Sequence, residues 1–283
     1  MFELFKIRQE TSRNTKLTLA IVGWIAILAA WVLVTRWELI SSYVFPTLGE
    51  VLRAFPQLFS ERGLLENVYT SWLRIGHAFL WCALVAIPLG LLMASFRWLY
   101  DLINPIAAPM RAMPITAFLP AFIGLFGIGE TMKIAFLWFG MFFYLLAVVV
   151  EEVNRVETSL LETAYTLGAR RLQVLWLMLR SSFPGIFASF RILYDIGWTY
   201  VILAEIVNRQ KGVGAMVQSA YEFHRPDLVY AGIISIGVAA FLFRGLLTLS
   251  EKFLFPWRQV TVASTARVSV PSVRRGKGVT GGN

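Results

Sequence analysis

The stretch LLETAYTLGARRLQVLW, residues 160–176, gathers a carboxylate, three other polar side chains and two arginines around one glycine, between runs apolar enough to lie in a bilayer. On a helix, Leu161, Ala164, Gly168, Leu172 and Leu175 share one stripe, and Glu162, Thr166, Arg170 and Gln173 share another. A segment divided this way lies along a surface instead of crossing it. Glycine inside a helix costs about 1 kcal/mol relative to alanine. Gly168 therefore marks either a turn between two short helices or a close approach of another backbone. Such an elbow has two uses: docking a soluble partner, or resting on lipid head groups.

What surrounds the elbow is membrane-like. Of 283 residues, 57% are hydrophobic and 15% charged, the balance of an all-α integral membrane protein and not of an ordinary globular domain. A crossing helix needs about 20 mostly apolar residues, and six stretches come near that length: 17–35, 72–96, 102–127, 131–150, 183–204 and 228–250. The formal charge of +9 does not point to nucleic acid, because the basic residues are scattered in short groups between the spans. Cys82 stands alone, which excludes an internal disulfide. His77 and His224 are the only histidines, so neither a zinc site nor a histidine-based triad is expected, and no metal or catalytic residue is assigned.

The first apolar run follows Lys6, Arg8, Arg13 and Lys16, as a signal peptide would. It is too long for that and lacks a small-residue cleavage site before Arg36, so the reading is a retained span. The organisation expected is a cytoplasmic segment 1–16, a span 17–35, an external loop 36–71 with short helices, a core 72–250, and a basic tail 251–283 too poor in apolar residues to order itself. With the N-terminus inside, sixteen Lys and Arg fall on the inner side and eight, among them Arg74, Lys133 and Arg209, on the outer. Both termini and the elbow are then cytoplasmic.

Charges inside spans need a reason, since each costs about 2.5–3.5 kcal/mol at the bilayer centre on insertion scales. Arg111 lies in the third span, which Pro105, Pro109, Pro114 and Pro120 keep from being a plain helix; it either lines a path or is only kinked. Arg191, Asp195, Trp198 and Glu205 share one face of the fifth. Two readings stand: an Arg191–Asp195 pair satisfied within the bundle, or a translocation lining in which Arg111 or Arg191 offers a cation to the solute. Glu130 and Lys133, three residues apart, form either a snap between turns or a solvated pair.

ETAYTLGARR, residues 162–171, resembles the E-A-A-x-x-x-G signature of permease subunits of bacterial ABC importers. PMRAMPITAFLPAFIGLFGIGETMKI (109–134), FRILYDIGWTYVILAEI (190–206) and GVGAMVQSAYEFHRPDLVYAGIISIG (212–237) resemble the nitrate, sulfonate and taurine branch, over residues 40 to 258. The resemblance implies a type I importer permease fold, with coupling helices at about 155–176 seated on a cytoplasmic ATPase dimer. Glu162, Ala164 and Gly168 match the signature, and Thr163, Ala169, Arg170 and Arg171 complete the contact. Thr163 stands where alanine is usual, and Arg180 and Ser181 stand where many members carry leucine and proline. Further implied are a second permease copy or homologue, an external solute-binding protein engaging 36–65 and 205–226, and a small anionic cargo such as nitrate, sulfonate, taurine or bicarbonate. No G-x-x-x-x-G-K-[ST] sequence occurs, so the chain binds no cofactor of its own and the ATP and Mg belong to the partner. A stand-alone transporter driven by an ion gradient through Asp195, Glu205 or Glu130 is the rival.

Overall fold

The computed structural model describes residues 12–207 and 210–257; the first eleven residues, Arg209 and the tail beyond Trp257 lie outside the described residues. The described elements are helices: α1 Arg13–Arg36, α2 Leu48–Ser60, α3 Leu64–Ser95, α4 Arg97–Ala112, a 3-10 turn Ile115–Phe118, α5 Leu119–Phe126, α6 Glu130–Asn154, α7 Thr158–Thr166, α8 Arg171–Val207, α9 Val213–Glu222 and α10 Pro226–Leu254. Five of them, α1, α3, α6, α8 and α10, are long and apolar enough to cross a membrane. The sixth expected span is the broken pair of α4 with residues 115–126.

The break sits at one proline out of four. Pro105 and Pro109 lie inside α4, and Pro120 begins α5, where a missing amide hydrogen costs nothing. Pro114 takes extended backbone, with ψ 113°, and separates the two pieces. The expected external loop is mostly helical as well. Thr47 and Glu50 form a reciprocal cap on α2, Glu50 N to Thr47 Oγ1 at 3.3 Å and Thr47 N to Glu50 Oε2 at 2.8 Å. The span expected from 72 already begins at Leu64. The start of the expected tail is folded too: Phe255 is buried against the rings of Phe183 and Phe187, at 6.0 and 5.5 Å.

Two compact groups of segments form. Among the described residues, the first takes those up to Ala83, Ala112–Phe142 and Ile196–Phe241; the second takes Leu84–Arg111, Phe143–Asp195 and those from Leu242 to Trp257. In the first, Ile115, Met132, Phe136 and Ala204 make a core on which Phe122, Phe139 and Tyr200 pack. Its α1 keeps none of its apolar window buried, which leaves that surface to lipid. Trp31 tethers α1 by an indole hydrogen bond to the Pro46 carbonyl, 3.0 Å, and by ring contacts with Phe45 and Tyr230. In the second group α3 and α6 approach so closely at Gly90 that a Cβ there would lie 2.7 Å from Val149, a small-residue contact of the kind that joins helices in lipid.

Candidate functional site

The elbow is built by an unbroken set of local hydrogen bonds. Helix α7 ends with Gly168 at φ +81°, Gly168 N donating to the Tyr165 carbonyl at 2.9 Å and Ala169 N to the Ala164 carbonyl at 3.0 Å. This pair of bonds is the Schellman cap, which needs a left-handed residue and hence favours glycine. A Cβ at Gly168 would meet nothing within 4 Å, so the glycine serves the turn and not a close approach. Helix α8 starts at once: the Arg170 amide is held by the Gln173 side chain at 2.7 Å. The second arm is therefore not a short helix, as the sequence suggested, but the head of a 37-residue one. The single stripe expected across 160–176 is interrupted past the glycine: Leu161, Ala164 and Leu175 are half-buried, whereas Leu172 is 80% exposed. Glu162, Thr163, Arg170 and Arg171 are exposed, and Ala169 is half-buried.

The charges of α8 do not form one lining. Arg191 reaches Glu251 of α10 at 3.2 Å and Thr248 at 3.5 Å, and Asp195 receives Arg244 of α10 at 2.9 Å. The four-residue spacing thus serves two rungs between helices. Arg111, at the end of α4, faces a cavity of about 260 Å³ in the same group, and its carbonyl accepts from the Tyr144 hydroxyl at 3.1 Å. Trp198 and Glu205 belong to the first group, and both are buried.

Glu205, expected along a path, instead centres a buried cluster. Its Oε1 accepts from Arg74 Nη1 at 2.6 Å and from the Ser71 hydroxyl at 2.7 Å, and its Oε2 accepts from Gly214 N at 2.8 Å. Arg74 also forks onto Glu130 through Nε and Nη2, both at 2.6 Å, and Lys133 reaches Glu130 at 3.0 Å. Two buried cations thus meet one buried carboxylate, Glu205, and one half-exposed one, Glu130. The same face of α3 holds the turn after α8: Val213 N donates to Ser71 Oγ at 3.0 Å, Gly212 N to Asn67 Oδ1 at 2.8 Å, and Lys211 Nζ to Glu66 at 2.5 Å. Arg74 and Lys133, counted at first as outer flanking charges, are 4% and 0% exposed.

The profile of the family described as "Binding-protein-dependent transport system inner membrane component" matches residues 86–256. The chain belongs to that family. It is 34% identical over 250 residues to the taurine transport system permease protein TauC of Escherichia coli (strain K12), covering 86% of this chain and 91% of TauC. It is 28% identical over 233 residues to the putative aliphatic sulfonates transport permease protein SsuC of Bacillus subtilis (strain 168), covering 82% of this chain and 84% of SsuC. An inward-facing structure of the MetNI methionine ABC transporter matches with TM-score 0.61 at 17% identity, over 70% of this chain and 97% of that one; that likeness is one of fold. These similarities make the chain a permease subunit of the ABC importers, multi-span proteins of the inner membrane, on the taurine and sulfonate branch. They give no support to an ion-driven stand-alone transporter.

Within the permease, the sequence located the elbow and its glycine but missed the cluster around Arg74. A signal was present. Ser71, Ile75, Ala78, Cys82 and Ala86 recur at helical spacing and are all buried; four of the five are small, which marks a packing face, and Arg74 lies on it.

Proposed function

We propose that the permease carries a small anionic solute of the sulfonate class, driven by a separate cytoplasmic ATPase dimer that seats on the elbow Thr158–Gln173. The observation that carries this reading is the elbow: a rigidly capped turn whose Leu167, Leu172 and Glu162 are all exposed, with Trp176 exposed just beyond it. Leucine and tryptophan exposed beside charges are what a protein partner covers. Support for the cargo class comes from relatives named for taurine and aliphatic sulfonates. ATP binding would close the ATPase dimer, push the elbow, and shift the permease between inward and outward arrangements that differ by a few kcal/mol. A second copy of the chain would complete the path. The sixteen-to-eight distribution of Lys and Arg favours placing the elbow and both termini in the cytoplasm. On the far side, the exposed Trp37, Tyr43, Tyr221 and Phe223 would receive the solute-binding protein.

The test is assembly and coupling. Purified from native membranes, the permease should bring down an ATPase. Glu162→Lys should leave the permease folded, with ATP hydrolysis no longer yielding uptake. Normal uptake per ATP by that variant would remove Glu162 from the contact, and absence of any ATPase would overturn the reading.

A further inference from the structure

We propose that the cavity walled by α3, α4 and α6 is a binding site for a small oxyanion, a sulfonate or carboxylate, with Arg111 as its cation. The proposal deepens the importer reading and rests on it for the class of solute.

Each other charge buried or half-buried in a spanning helix has a counter-ion. Arg74 and Lys133 hold Glu130, Glu205 holds Arg74, Arg191 holds Glu251, and Asp195 holds Arg244. Arg111 differs. It is half-buried, and among the described residues its guanidinium has neither an ion pair nor a side-chain hydrogen bond. A guanidinium cannot shed its proton to escape this position, so its charge stays, and an anion from solution is the natural counter-ion.

The rest of the wall suits one. Asn104 and Asn154 add amide donors, Tyr100 adds a hydroxyl, and Leu146 contributes apolar wall. None of these four brings a negative charge, and the planar fork of Arg111 matches two oxygens of a sulfonate or carboxylate. One carboxylate, Glu151, also lines the space, but its side chain is 65% exposed and is held by Arg155 at 2.6 Å. It sits as a rim charge opposing the anion, so it weakens binding without abolishing it. The volume, about 260 Å³, lies below the range of drug-sized pockets and limits the occupant to a small solute.

Binding of radiolabelled methanesulfonate is read on the full-length permease in lipid nanodiscs, with methanesulfonamide as the neutral competitor of nearly the same shape. Wild type should bind methanesulfonate and ignore the neutral competitor. Arg111→Gln should weaken binding at least about tenfold, the worth of one charge-assisted contact. Arg111→Lys should recover part of that loss, and Glu151→Gln should tighten binding a few-fold. No saturable binding by wild type, or equal affinity in Arg111→Gln, overturns the site. If Arg111→Gln fails to fold, the rim variant decides: no gain in Glu151→Gln also overturns it. Copurification of an ATPase with wild type is scored separately, so failure of the importer reading and failure of this site are different results.

Discussion

At position 212 the difference between glycine and alanine is one methyl group for which no room exists. A Cβ there would collide with the carboxylate of Glu205, and φ +125° is backbone that L side chains rarely adopt. Gly212→Ala should therefore cost about 2–4 kcal/mol, overpacking and backbone strain together, seen as a lowered thermal midpoint of the detergent-solubilised permease. Glu205→Gln keeps the shape and removes the charge. Because Arg74 is then left buried with half its compensation, a loss of about 3 kcal/mol is expected. The double variant Arg74→Met with Glu205→Gln should cost less than the two single losses added together. A double-mutant cycle that gives simple additivity would show the pair to be uncoupled.

The elements differ in how far they could be read in advance, and the range of the interactions explains it. The elbow was legible because its causes are local: Gly168 supplies the left-handed residue, Gln173 caps the helix three residues from Arg170, and the flanking spans announce themselves by length. The broken span was legible as broken, since four prolines say so, but not where, because Pro105 and Pro109 are tolerated inside α4. The two rungs from α8 to α10 join residues 49 or more positions apart, and no pattern within α8 could choose them over an internal pair. At the elbow, Gly168→Val forces a β-branched side chain into left-handed backbone at about 1–2 kcal/mol. It should reduce uptake per ATP hydrolysed more than it reduces the amount of permease in the membrane. Gln173→Leu removes only a cap, about 1 kcal/mol, so uptake should stay near wild type in the same reconstituted assay.

For the whole molecule, α1 stands apart. Its apolar window is unburied, and it lies before the residues that match the family. A chain starting at residue 38 should therefore unfold within a few degrees of the full one, losing mainly the Trp31 contacts with Pro46, Phe45 and Tyr230. A drop beyond about 10 °C in a thermal scan would mean that α1 holds the bundle together.

The cluster at Arg74 also sets a timetable for biogenesis. Glu130 follows Arg74 by 56 residues and Glu205 by 131. At about 5–20 residues per second, the second carboxylate leaves the ribosome on the order of ten seconds after the arginine. Through that interval the newborn helix carries an arginine without its second carboxylate, a charge that lipid resists. Its counter-ions are all made after it, so this cluster closes late in synthesis.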